Sequence, residues 1–430
     1  MTLDGWDTVS LSDVALVNEA MVRRQNEFIT EFDFKEGRLH FSGRFGAWQI
    51  REGGGLQSLN VEIPIDHGKL IGIPRSKRPF DVAGLLLRVK LKLRLLPAPD
   101  GSEHAQLMFD LDADTSRGPD QPVLPVEVID PSGKISRTRL QYLAIAAAAC
   151  LSAHAQKVTY VFASVKTRGT SDAAELATPY HDWLHVITSE GRQYLAIFGA
   201  LSKPAGRVDR IDPALIKTLG SAYLALSVRM FHERFLCPVL SGSFKPRAPF
   251  RVHGGRVENS RAIALPPQDI GIGTARPIID RLQLALAPGA LRGHVKAHAQ
   301  LPLGITFDIT VDMTMRFSFD AKSGELRFLP DPKPKVHHSA SLPQPFDTII
   351  GWLVRFFLSF FEAQITAAIA AIARKMQTFN SPKVHSASWT GIRDFKTGAA
   401  SAEGCIWLCD TRPVDTGPAK ARARQTELAG

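Results

Sequence analysis

Residues Gly304 to Asp320 read GITFDITVDMTMRFSFD. Every second residue is apolar: Ile305, Phe307, Ile309, Val311, Met313, Met315, Phe317 and Phe319. Between them stand Thr306, Asp308, Thr310, Asp312, Thr314, Arg316, Ser318 and Asp320. That alternation has the period of a β-strand, whose successive side chains point to opposite faces. At about 3.3 Å per residue the strand would be roughly 50 Å long, far longer than the usual strand. Such a strand with one apolar face belongs to a large, curled antiparallel sheet, and that face needs a cover.

A cover follows in the chain. Phe346 to Met376 reads FDTIIGWLVRFFLSFFEAQITAAIAAIARKM. At about 100° per residue, Arg355, Ser359, Glu362 and Thr366 gather in one narrow stripe. Ile349, Leu353, Phe356, Phe357, Phe360, Phe361, Ile365 and Ile372 take nearly all the rest. The segment is long enough to cross a bilayer. Arg355 and Glu362 fall near its middle, however, where a charge costs about 2.5–3.5 kcal/mol. The pattern predicts a soluble helix wrapped by curved sheet, with a membrane-inserting helix as the alternative. A wrapped sheet that does not close leaves an apolar groove for an acyl chain. Ile349, Leu353, Phe356, Phe357, Phe360 and Phe361 on the helix, with Met313 and Met315 on the strand, are its candidate lining. The thioethers are soft enough to adapt to a flexible ligand. The plain alternative is that side chains fill the space.

Elsewhere the same logic yields more strands and helices. Leu39, Phe41, Phe45 and Ala47 share one face, as do Val61, Ile63 and Ile65 after a glycine turn. Pro64 has no N–H to donate, so its strand lies at an edge or turns that position away from a partner. Leu87, Val89, Leu91, Leu93 and Leu95 alternate with Arg88, Lys90, Lys92 and Arg94. That basic ladder is a solvated outer face that discourages edge pairing, or a dock for anionic lipid head groups. A hairpin is predicted over Leu282–Leu301, around Ala287-Pro288-Gly289-Ala290. Helices are predicted over about Thr8–Phe28, capped by Thr8 and Ser10 with Val14, Val17, Met21 and Phe28 on one face; over Ser136–Ser152; and over Asp212–Phe235. Asn18 falls near the first helix's apolar face, so its amide needs a backbone partner. Pro-rich connectors are expected at about 116–125 and 330–345. The expected division is 1–245, 246–410 and a disordered tail over 411–430.

The chain has 430 residues, 44% hydrophobic and 22% charged, enough to build large cores. Net charge is +10, from 52 Lys and Arg against 42 Asp and Glu. That mildly favours anionic partners. No aromatic residues interleave the basic ladder, so nucleic acid is not expected. The N-terminus shows no basic region followed by an apolar run, and the default localisation is cytoplasmic, with release by a non-classical route as an option. Four cysteines are too few for a disulfide framework. Cys405 and Cys409 lack the second pair that a zinc site requires. His181 and His185 could be neighbours only on a helix, and His294 and His298, about 13 Å apart on a strand, cannot share an ion. No G-x-S-x-G elbow or P-loop is present, and Glu52–Gln57 is a turn before a strand. No enzyme, metal or cofactor is expected.

The opening Gly5-Trp6-Asp7 and Val17-Asn18 are followed by Trp48 before Gly53–Gly55, and by Ile63-Pro64-Ile65. This order resembles the 47-kilodalton accessory protein and OrfX proteins of clostridial neurotoxin gene clusters. The resemblance implies the tubular lipid-binding (TULIP) superfamily: an elongated α+β fold, its long, curved antiparallel sheets wrapped around long helices, often as two modules. It implies a lipid or other apolar ligand, a possible protein partner from the same gene cluster, and no catalytic residues. It also implies that Trp6 pins the first helix to the sheet. Together these readings predict a non-enzymatic lipid-binding protein. Its alternatives are a scaffold of a toxin-like complex with a filled core, and a membrane-inserting protein.

Overall fold

The computed structural model describes residues 2–412 apart from 56, 75, 77, 101–102, 112–121, 168–175, 204–210, 219, 245–247, 270–272, 302–305, 332, 341–346, 379–384 and 393. Ile305 and the tail from 413 onward lie outside the described residues. The chain is α+β, built from three antiparallel sheets of ten, six and nine strands and a few helices.

Strand length explains how the sheets bend. Thr306–Asp320 forms as predicted, with Phe307, Ile309, Val311 and Met315 buried. Along one edge it pairs first with Lys335–Ala340 and then with Glu325–Pro330. Ser58–Ile71 changes partner in the same way, from Gln49–Gly55 to Leu39–Phe45. Leu86–Pro97 passes from Val123–Ile129 to His104–Phe109. Each long strand is thus shared by two shorter ones, several with register shifts of the kind that sharpen local twist. Pro64 sits where one partner gives way to the next. Its carbonyl accepts from Gly46 N–H at 2.8 Å. In an antiparallel strand the ring nitrogen faces the same way, into the gap between the two partners. The strand is central, and the missing donor falls where no partner needs it.

The connectors predicted at 116–125 and 330–345 carry structure. Val123–Ile129 and Lys335–Ala340 are strands of the ten- and nine-stranded sheets. The predicted hairpin forms from Thr274–Ala287 and Ala290–Gln300, with Gly289 at φ +66° in its turn.

Two helix expectations fail in part, each at a strand of the six-stranded sheet. Thr8–Asp13 is a fully buried strand, and only Val14–Arg23 is α-helical, followed by a 3-10 turn over Gln25–Glu27. Asp13, not Thr8 or Ser10, caps that helix by accepting from Ala15 N–H at 2.8 Å. Pro213–Ile216 is a single 3-10 turn and Ala222–Ser227 is a strand. A mixed α- and π-helical segment then runs from Val228 to Ser243. Both misread strands lie side by side in the six-stranded sheet, flanked by Gln193–Ala200 and Cys405–Asp410. Ala222–Ser227, buried on both faces, lacks the alternation that identifies a strand in sequence, whereas Thr8–Asp13 keeps it, with Thr8, Ser10 and Ser12 buried opposite Val9 and Leu11. Arg137–Ala153 is helical, as expected.

The six-stranded sheet bridges two cores. Trp183, Leu195 and Ile197 face a core built from the ten-stranded sheet and the helices Val14–Arg23 and Arg137–Ala153. Leu224, Leu226, Ile406 and Leu408 face a second core, built from the nine-stranded sheet, the Val228–Ser243 segment and the long helix. Between them Thr8–Asp13 turns a polar face inward. Ser10 Oγ accepts from Trp389 Nε1 at 2.9 Å, and Ser386 Oγ donates to Thr8 Oγ1 at 3.2 Å. Small hydroxyls occupy the seam because they satisfy buried donors from the segment that crosses it. On the reverse face Trp6 packs on Phe198 in a small third core with Leu215 and Trp407. Trp6 therefore anchors the first strand, and the first helix is held elsewhere. Asn18 Nδ2 donates to the Ile50 carbonyl at 3.1 Å and Asn18 Oδ1 accepts from Ile50 N–H at 2.8 Å.

A cut near residue 245 falls between the strands of the ten- and nine-stranded sheets. It does not follow the packing, because the chain returns. Ala387–Trp389 joins the ten-stranded sheet, and Thr397–Ser401 and Cys405–Asp410 complete the six-stranded one. At the start of the expected tail, Arg412 is paired with Asp410 and with Asp394.

Candidate functional sites

The long helix spans Asp347–Gln377. Leu353, Phe357, Phe361, Ile365, Ala368, Ile369, Ile372 and Met376 form its buried row. The spacing of mostly four residues runs this row nearly straight down one face. Phe357 is fully buried, with its ring 6.4 Å from Phe307 on the long strand and 5.9 Å from Phe361. Arg355, Ser359 and Thr366 face solvent, as the predicted seam requires; the side chain of Glu362 lies outside the described residues. The flank differs from expectation. Trp352, Phe356 and Phe360 are only half-buried, stacked at 5.7 and 6.4 Å along the helix. Just 35% of the helix's most apolar stretch is buried, and the helix is long and apolar enough to cross a membrane.

The candidate groove residues therefore divide. Leu353, Phe357, Phe361 and Met315 lie inside the packed core, whereas Phe356, Phe360 and Met313 are partly open. The side chain of Ile349 lies outside the described residues. Met313 lies across Gly293 on the neighbouring strand, where a Cβ would come within 2.6 Å of its Cγ. The glycine makes room for the thioether.

The basic ladder lies on the face of the ten-stranded sheet opposite the core, and its charges are unequally free. Arg88 pairs with Glu62 at 3.2 Å and with Glu127, and Arg94 lies 3.4 Å from Asp110. Among the described residues Lys90 and Lys92 have no ion-pair partner. The ladder is thus a two-lysine feature flanked by neutralised arginines.

Arg88 also lines a feature that the sequence did not disclose. A cleft of about 750 Å³ opens between the start of the first helix (Asp13, Val14, Ala15, Asn18), the sheet residues Ile50, Arg51, Glu52, Glu62 and Arg88, and the turn Gly191-Arg192-Gln193. Arg192 pairs with Asp13 at 3.0 Å, and Arg51 with Glu62 at 2.8 Å. Burial pushes the Glu62 carboxyl up, but its hydrogen bonds to Arg51 and Arg88 outweigh this and hold it below the usual glutamate range. Only one cue existed locally, a carboxylate between Val61 and Ile63 in an apolar strand; Arg192 arrives from far along the chain.

The histidines and cysteines occupy structural positions. His181 lies on a strand, 2.7 Å from Thr178 Oγ1, and burial lowers its pKa to about 4. His185 meets Gln193, and burial, partly opposed by hydrogen bonds, also lowers its pKa. His294 and His298 pair separately with Asp312 and Asp280, at 2.7 and 2.8 Å. Cys405 and Cys409 face the small third core, where burial pushes their thiols up to about 11 and about 12. Among the described residues no three His, Cys, Asp or Glu side chains form a group that could hold a metal ion.

The fold defines the class first: an α+β protein whose long antiparallel strands, each shared between shorter neighbours, are laid over apolar helices. Within that class the chain belongs to the OrfX-like family, Protein OrfX2/OrfX3/P47, which it matches over residues 3–326. This is the toxin-cluster family that the opening motifs resemble. Its fold is similar to that of P47 from Clostridium botulinum A2, with a TM-score of 0.77 and 16% identity over 96% of this chain and 98% of that one. P47 of Clostridium botulinum E1 is similar at a TM-score of 0.76 and 16% identity, over 95% of this chain and 99% of that one. No curated protein matches the sequence.

Proposed function

We propose that this chain is a non-enzymatic lipid-binding protein of the tubular lipid-binding type. An acyl chain lies along the partly open flank of the long helix, against Trp352, Phe356 and Phe360. The observation that carries this reading is the incomplete cover of that flank. Three stacked aromatic rings there are only partly buried against the core. Such a row is costly to leave wet, at roughly 25 cal/mol per Å² of apolar surface, and continuous apolar patches mark interaction sites. Lys90 and Lys92 supply the cationic surface for an anionic bilayer. A toxin-cluster protein partner and release from the cytoplasm by a non-classical route complete the proposal.

Native mass spectrometry of the purified full-length protein tests it. The expected result is a lipid-sized adduct, removed by organic extraction and reduced in a Trp352→Ala/Phe356→Ala double variant. An adduct-free protein with no lipid in the extract would overturn it. That outcome would favour the scaffold reading, which the complete burial of Phe357 and Met315 already supports.

A further inference from the structure

We infer that the cleft between the first helix and the Gly191-Arg192-Gln193 turn binds a small zwitterion, with its carboxylate on Arg88 and Arg192 and its ammonium on Glu52. The site is distinct from the apolar flank of the long helix and does not depend on that reading.

The walls come from three parts of the chain and are fixed to one another. Asn18 clamps the helix to Ile50 through two hydrogen bonds. Arg192 ties the turn to Asp13 and, at 3.4 Å, to the Gly220 carbonyl. Its guanidinium also lies 5.4 Å over the Tyr194 ring. A space of about 750 Å³ is within the range of small-molecule sites. Its lining is charged rather than apolar, so it calls for a polar occupant.

The charges in the lining do not close among themselves. Arg192 and Asp13 form one pair, and Arg51, Glu62, Arg88 and Glu127 form a chain of pairs. Glu52, exposed on the rim, is the lining carboxylate with no cation among the described residues. Arg88 Nε and Arg192 Nη1 are N–H donors shut off from solvent, and among the described residues neither has an acceptor. An idle buried donor is unfavourable, and a charged one more so. A carboxylate that draws either guanidinium into the cleft exchanges an idle donor for a charge-assisted hydrogen bond, which arginine makes in a fixed fork geometry. One anionic end and one cationic end together complete the lining, which neither a simple anion nor a simple amine does.

Isothermal titration calorimetry of the full-length protein tests this with ω-amino carboxylates of three to eight carbons. Alkyl carboxylates and alkylamines of matching length are the one-ended controls. The expected result is that at least one zwitterion binds about tenfold tighter than either control of its length, the effect of one charge-assisted contact. Glu52→Gln, at an exposed position, should reduce the zwitterion to the level of the carboxylate. Arg192→Gln should reduce it to the level of the amine, with folding checked by thermal unfolding. Equal affinity of zwitterion and controls, no binding at millimolar concentration across the series, or an undiminished zwitterion preference in Glu52→Gln would each overturn the assignment.

Discussion

Phe356 and Phe357 are adjacent, chemically identical and differently placed. Phe357 is fully buried and stacks on Phe307 and Phe361. Phe356 stacks on Trp352 and Phe360 at the half-open flank. Phe357→Ala removes a ring from a closed core and leaves a cavity there, for about 3–5 kcal/mol. Phe356→Ala forfeits only partial burial and leaves no closed cavity, for about 1–1.5 kcal/mol. Phe357→Ala should therefore lose about 1.5–4 kcal/mol more. Urea unfolding followed by intrinsic fluorescence measures this, comparing midpoints where the slope m is unchanged. Lipid content should respond in the opposite order, with Phe356→Ala lowering the co-purified adduct and Phe357→Ala altering mainly stability. Equal destabilisation by the two would refute the reasoning, because it would mean that the helix is covered equally on both sides.

Other outcomes follow from single contacts. His232 is fully buried; its Nε2 accepts from Leu286 N–H at 3.1 Å, and burial lowers its pKa to about 4. Its folded pKa lies below the unfolded one, so the unfolded chain takes the proton first as pH falls. Stability is full above about 6.5 and declines towards pH 4, by about 3 kcal/mol at most from this residue. His232→Gln keeps an acceptor for Leu286 and should flatten that slope in unfolding experiments at stepped pH; an unchanged slope would exclude His232 as its source. Tyr160 Oη is buried without a partner among the described residues, so Tyr160→Phe should leave the urea midpoint unchanged or raise it, whereas a loss of about 1 kcal/mol would reveal a partner. Changing Lys90 and Lys92 to Gln should abolish most binding to anionic liposomes, and changing Arg88 and Arg94 should matter less; the reverse order in a flotation assay would sink the docking role. Gly391, at φ +95°, would place a Cβ 2.7 Å from Ala20 Cβ, and Gly391→Ala should lower stability by about 1–3 kcal/mol. Unaltered thermal unfolding would show that the helix can shift to admit the methyl group.

Some of this protein was settled locally by its sequence. Alternation over Thr306–Asp320 and Leu86–Pro97 sufficed for those strands, because each has one buried and one solvated face. The long apolar helix was equally legible, as was the need of Asn18 for a backbone partner. Tertiary structure decided the rest. Thr8–Asp13 and Ala222–Ser227 are strands because two neighbours each hold them; burial on both faces erased the period of the second, and in the first it hid polar residues that locally read as helix caps. The two free lysines of the basic ladder were set by carboxylates elsewhere in the sheet, Glu62 and Glu127 on other strands and Asp110 just past the end of one. The charged cleft exists only because Asp13 and Arg192, far apart in sequence, are brought together by paired strands of the bridging sheet. Periodicity records which face of an element is buried, whereas partners across a sheet are fixed by chain closure, which no local spacing encodes.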